Sequence, residues 1–459
     1  MTRKITPALV LALLLCAAPA AEARESFQQI AGVKSAGTPA KYNKVGILKI
    51  GSAKAKNILV LNPGTSASAA YFAPLARDLK KKAPSWQVWA VERRENLLED
   101  HSMWNRLKSG AATPKQAFDY YRNYLADKSV TTHFKPIPDA SVAYAKQWGM
   151  RTEIGDLRQV VGKAKKTAGR RGHVVMGGHS LGGTITTAYA TWNFGGRAGA
   201  RGLSGLVFID GASRPQAVSV AAARKSLADL SAGSPWLTIG GIPTPFVGLF
   251  NTGGSLNALK APKAPSLAQN FALLPGNLKP PVPATNLAQY GYALDTQTSP
   301  SSLSLAQGHI GSLAPSGSPR GWVQGKDISP IKRFAQMFAG DKLKGLDGTA
   351  WYHPQRLSID AGAVGNGIAN PAQKVLGVKS TKGRALPKDL RIYAFGAALG
   401  GARVPAAARA LAKQSGIPAR NVRGASRAST YSHNDPNSAY PNNAFVEGLV
   451  PFLKGIQKK

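Results

Sequence analysis

Gly178-His179-Ser180-Leu181-Gly182 is the stretch of this 459-residue chain most specific in its chemistry. A serine in G-x-S-x-G spacing between a strand and a helix sits on a tight turn, and Gly178, Gly182 and Gly183 permit the strained backbone that such a turn requires. The turn exposes the Ser180 hydroxyl near the positive end of the following helix. A serine hydroxyl alone is a weak nucleophile, so a base must lie within hydrogen-bond reach. Seven histidines are available. His179 lies inside the turn and is expected to point away, His173 starts a strand, and His101, His133, His309 and His353 fall in long insertions. His433, in Tyr431-Ser-His-Asn-Asp-Pro436, precedes the last helix in a polar loop from which it can swing toward Ser180. It is the expected base.

The base needs a carboxylate to fix its tautomer and stabilise the imidazolium. Asp210 directly follows the apolar strand over 205–209 and is the expected acid. Asp435 and Asp360 are the alternatives, each with a simpler role as a loop-capping or helix-capping residue. The turn after the strand over 390–395 reads Phe395-Gly-Ala-Ala-Leu-Gly-Gly-Ala402 and carries no carboxylate. A tetrahedral oxyanion requires preorganised N–H donors. The Leu181 amide is one, and the Thr65 amide, in the small-residue loop Asn62-Pro-Gly-Thr-Ser-Ala-Ser68, is the expected second.

These residues need a sheet to hold them. Continuous apolar runs over 57–61, 86–91, 173–177, 205–209 and 390–395 suit strands covered on both faces, and the run over 45–50 alternates like a strand. Helical spacing over 71–82, 153–166, 181 onward, 405–414 and 444–453 places helices between them. This alternation predicts an α/β fold, a mostly parallel sheet with helices on both faces. Residues 211–388 break the pattern and predict a large cap insertion between the strand ending at Asp210 and the strand over 390–395. Within it, the apolar segment over 235–250 is broken by proline and glycine, which argues against a regular helix or a membrane span and leaves it to line an acyl pocket, form a lid or pack the cap. The organisation expected is residues 1–23 as a signal peptide, 24–45 as a lead-in, 46–210 as the first part of the core, 211–388 as the cap and 389–459 as the second part.

Lys and Arg number 59 against 22 Asp and Glu, a formal +37, yet charged residues make up only 18% of a chain that is 43% hydrophobic. So apolar a chain can fold rather than remain disordered. Its densest basic run, over 163–171, is short and has no interleaved aromatics, which argues against a specific nucleic-acid site and for a solvated face with general attraction to anionic surfaces. Arg3 and Lys4, an apolar run over 9–18 and Ala21-Glu22-Ala23 read as a cleavable secretory signal. That run is too short for a bilayer, which takes roughly 20 residues. The chain is therefore expected to be secreted or periplasmic, with no transmembrane segment in its mature form. Cys16, the only cysteine, would leave with the signal.

The elbow at 178–182, the loop at 62–65 and the order Ser180, Asp210, His433 resemble the α/β-hydrolase superfamily. Segments over 63–72, 89–96 and 351–357 are similar to those of secreted bacterial esterases and lipases. The resemblance implies hydrolysis of a small-molecule, lipid or polymeric carboxylic ester through an acyl-enzyme, without metal or organic cofactor. An aminopeptidase- or amidase-like hydrolase shares the same residues, and a non-catalytic basic surface-binding protein could retain the fold. The missing acid after Phe395 departs from many members of the superfamily and leaves the identity of the acid open.

Overall fold

The computed structural model describes residues 25–239, 241–380 and 386–458. The proposed signal peptide lies outside the described residues. Eight strands form the main sheet: β1 (Ser26–Ala31), β2 (Lys44–Ile50), β3 (Asn57–Asn62), β4 (Trp86–Glu92), β5 (Val174–His179), β6 (Gly205–Ile209), β7 (Arg391–Gly396) and β8 (Val422–Ser426). Their spatial order is β1-β2-β4-β3-β5-β6-β7-β8. All neighbours from β4 to β8 run parallel, and β2 is antiparallel to both β1 and β4. The lead-in expected over 24–45 is thus partly a strand. Polar residues and one-sided cover hide β1 in the sequence, because an edge strand need not be apolar throughout.

Side chains alternate across this sheet. Val45, Ile58, Val60, Met176, Leu206, Phe208 and Ile392 face one apolar layer, which includes α4 (Met150–Ala168), α5 (Leu181–Thr191) and α12 (Arg403–Gln414). Leu48, Leu59, Leu61, Val175, Val207, Ile209 and Phe395 face the other, which includes α1 (Ala73–Lys82) and the terminal helix α13 (Ala444–Gln457). Burial on both faces explains why these strands read as continuous apolar runs.

A third apolar cluster draws on two segments far apart in the chain. Trp104 and Leu107 of α2 (Ser102–Ser109) and Ala117 and Tyr121 of α3 (Pro114–Tyr121) pack with Leu249, Leu256 and Trp351 of the long insertion. That insertion, between β6 and β7, contains α6 (Val220–Ala232), α7 (Thr244–Lys260), α8 (Asn286–Leu294), α9 (Ile331–Ala339), α10 (Gln355–Ala361) and α11 (Pro371–Leu376). The apolar segment over 235–250 does enter a regular helix, α7. Pro245 falls in the first turn, where its missing N–H costs no bond. The α7 glycines accommodate neighbours: a Cβ on Gly248 would strike Trp351, and one on Gly253 would strike Arg122.

Candidate active site

Ser180 links β5 to α5 with φ 56° and ψ −124°, a conformation that costs a serine about 1–3 kcal/mol. Its N–H donates to the Ile209 carbonyl at 3.0 Å, anchoring the turn to β6. A Cβ on Gly178 would overlap the Gly182 carbonyl, and one on Gly182 would overlap that of Asn62. The glycine spacing read from the sequence is therefore a steric requirement of this turn.

His433 is buried, and its Nδ1 donates to Asp210 Oδ2 at 2.7 Å. Asp210 also accepts the amides of Ala397 at 2.6 Å, Gly400 at 2.9 Å and Leu399 at 3.2 Å. Burial opposes its charge, but the bonds to His433 and the Ala397 amide outweigh it and hold the carboxyl below the usual aspartate range. The turn after β7 lacks an acid and instead supplies the amides that receive one from β6. His433 and Ser180 line the same cavity, without a direct hydrogen bond between them. His179 packs with its ring 4.2 Å from that of His433 and bonds the His433 carbonyl through Nε2 at 2.9 Å. Burial, then the neighbouring imidazole, push His179 down to about 3, so it stays neutral and supports His433 from beneath.

The two alternative acids lie in other networks. Asp435 accepts His309 Nδ1 at 2.6 Å, Ser329 Oγ at 2.8 Å and the Ser432 amide at 2.7 Å. Asp360 sits within α10, accepting Arg356 Nε at 2.7 Å and the Met150 amide at 2.9 Å.

Thr65 and Leu181 flank Ser180, and among the described residues neither backbone N–H has a protein acceptor. Gly64 lies so close that an added Cβ would come 2.8 Å from Ser180 Cβ. Arg93 fixes this loop. Its Nη1 donates to the Pro63 carbonyl at 3.0 Å, and its Nη2 to those of Gly64 at 3.0 Å and Ala67 at 3.1 Å. Its Nε donates to Glu95 Oε1 at 2.6 Å. With these carbonyls turned toward Arg93, the loop's conformation is set from behind. Glu92 accepts the Ala69 amide at 2.6 Å, and His353 Nδ1 accepts that of Ser66 at 3.4 Å. Sequence reasoning placed His353 only in an insertion and gave Arg93 no role. The available clue was Glu92-Arg-Arg-Glu95, four charges directly after an apolar strand, all of them buried.

Among the described residues, Glu99, His101 and Asp347 form one group able to hold a metal ion. Burial opposes the imidazolium, but Asp347 and then Glu99 outweigh it and push His101 up to about 10. Its Nε2 lies 3.0 Å from Glu99 Oε2 and 3.4 Å from Asp347 Oδ2. Asp347 in turn backs the loop over 62–68 through its carbonyl, which accepts Ser68 Oγ.

The cavity at Ser180 encloses about 70 Å³. Val247, Asn251, Leu303, Leu305 and Phe338 of the insertion form much of its wall, and among the described residues no carboxylate lines it.

No protein-family model matches the chain, and no curated protein does. Solved structures similar to it include a candidate lipase from Sulfolobus solfataricus, 15% identical, with 95% of this chain and 94% of that one covered and a TM-score of 0.46. A thermostable carboxyl esterase from Bacillus coagulans is 12% identical over 94% and 99% of the two chains, at 0.39. A monoglyceride lipase variant from Saccharomyces cerevisiae is 11% identical over 90% and 92%, at 0.37. Strand order, the antiparallel strand β2 in an otherwise parallel main sheet and the serine elbow between β5 and α5 give this chain the α/β-hydrolase fold.

Proposed function

We propose that the protein is a serine hydrolase of carboxylic esters, with Ser180 as nucleophile, His433 as base, Asp210 as its orienting acid and the Thr65 and Leu181 amides as oxyanion donors. The observation that carries this reading is the buried 2.7 Å bond from His433 to Asp210 at the wall of the cavity that holds Ser180. In the first step Ser180 Oγ attacks the ester carbonyl as His433 takes its proton, and the two amides receive the oxyanion. His433 then protonates the departing alcohol. Water, deprotonated by the same imidazole, attacks the acyl-enzyme and releases the acid. The Ser180–His433 hydrogen bond forms within this cycle, since such bonds tighten once substrate is bound. The ester reading is favoured over an aminopeptidase one because recognition of a substrate ammonium calls for a free carboxylate: among the described residues none lines the cavity that Ser180 shares with the insertion, and Asp210, in a further cavity at Ser180, is taken up by His433 and three amides.

Labelling by a fluorophosphonate tests the nucleophile: wild-type protein reacts and Ser180→Ala does not. Asp210→Asn lowers kcat by about 10⁴-fold, the cost of losing the correct imidazole tautomer. Asp435→Asn changes kcat far less. The reverse ranking would move the acid to Asp435. We also infer that the chain is exported through the signal over 1–23, with the insertion as a cap and the basic surface drawn to anionic surfaces; N-terminal sequencing of the exported protein, expected to begin after Ala23, tests the first of these.

A further inference from the structure

A second cavity adjoins the first. It encloses about 150 Å³ and shares Val247, Asn251, Leu303 and Ala306 with the wall around Ser180. Its lining is mainly apolar, from α7, α8 and the segment over 266–278, and its members Leu273 and Ile242 are exposed to solvent, 55% and 37%. One lining residue contradicts this character. Arg122, just after α3, is 2% exposed. Its Nε and Nη2 are buried without a hydrogen-bond partner, and among the described residues no carboxylate pairs with it. Among the described residues the guanidinium lies over the face of Phe118, its carbon 4.7 Å from the ring centre. Burial alone, with no opposing charge nearby, draws it down to about 9. A buried cation without a counter-charge is among the most costly arrangements a fold can keep. Yet the fold makes room for it, since any side chain at Gly253 of α7 would collide with Nη2.

We propose that this cavity seats an apolar arm of the substrate that ends in a carboxylate, and that Arg122 pairs with that carboxylate. A guanidinium offers a fork of donors that fits a carboxylate in bidentate fashion, and apolar walls strengthen the pair by excluding water. Two further buried atoms on the same wall, Asn257 Oδ1 and Gln289 Oε1, lack partners. Both are acceptors, so the pocket has room for an N–H or O–H group on the arm without requiring one. The shared wall puts this arm next to the ester carbonyl at Ser180. The proposal rests on the ester-hydrolase reading and narrows it to esters with an anionic terminus.

The test uses two 4-nitrophenyl esters of equal chain length, one made from a monocarboxylic acid and one a monoester of the α,ω-dicarboxylic acid, over a series from short to long. Wild-type protein is expected to favour the anionic ester in kcat/KM by tenfold or more at the matching length, and Arg122→Met to reduce that ratio by at least tenfold. Arg122→Lys restores part of it. A ratio near one at every length, or a ratio unchanged in Arg122→Met, overturns the proposal. Thermal shift of Ser180→Ala with the free dicarboxylate against the matched monocarboxylate separates the two readings. If no ester is cleaved, the hydrolase assignment fails, while selective stabilisation by the dicarboxylate that vanishes in the Arg122→Met background still upholds the site. Equal shifts with both acids overturn it.

Discussion

Arg93 and Arg122 are equally buried, 2% exposed each, and opposite in their surroundings. Arg93 donates four hydrogen bonds, three to carbonyls of the loop over 63–67 and one to Glu95. Arg122 donates none from its side chain to the described residues and faces a cavity. The first guanidinium is structural cement for the loop that carries the Thr65 amide, one of the two proposed oxyanion donors. The second is an unmet electrostatic demand. The difference teaches that burial of a charge does not by itself reveal its role; what completes its hydrogen bonds does.

The largest effect that would sharpen this contrast is at Arg93. Arg93→Gln lowers kcat by about 10²–10³-fold, as loss of an oxyanion donor does, because the loop behind Thr65 loses its anchor. It also lowers unfolding stability by about 3–5 kcal/mol, since Glu95 is left buried and uncompensated. Steady-state kinetics and urea denaturation read the two. Arg122→Met moves stability the other way, raising it by about 1–4 kcal/mol, because an unpaired buried charge gives way to an apolar side chain of similar length. A loss of stability in that variant would mean that the stacking on Phe118 outweighs desolvation, and the contrast with Arg93 would weaken.

His101 is a third buried cation, intermediate in kind, held between two carboxylates. Its folded value near 10 lies above the ordinary 6.5. Its contribution to stability is therefore complete below about pH 6.5 and is lost as pH rises toward 10, by at most about 1.4 kcal/mol per pH unit in that window. His101→Gln flattens this decline in a plot of Tm against pH. A decline just as steep in the variant would show that other groups, such as the raised Glu92 and Glu153, carry it.

What the sequence disclosed follows from local sterics. A strand covered on both faces must be apolar, and a nucleophile elbow must be glycine-rich, so both could be read without coordinates. Asp210 could be nominated because acids are scarce and one directly follows a core strand. The insertion was harder, since its helices draw their stability from packing: α7 tolerates Gly248 and Gly253 because Trp351 and Arg122 fill the space, and neither neighbour lies near in sequence. β8 escaped for a related reason, as Val422-Arg-Gly-Ala-Ser426 is a partly exposed edge with little apolar pattern. Arg93 and His353 reach the loop over 63–67 from dozens to hundreds of residues away, with the charged run at 92–95 the one local sign of the former, and nothing around Arg122 in the sequence shows the cavity that it lines.

His433 and Asp210 meet across 223 residues of chain. A polypeptide growing from its amino end therefore completes its serine elbow long before it has the histidine to activate it, and the amides at 397–400 that orient the aspartate arrive only after the whole insertion has been made. Proteolytic fragments that retain Ser180 but end before β7 have neither. On the proposed mechanism, activity is thus conditional on synthesis of the chain through His433, the last of the three proposed catalytic residues.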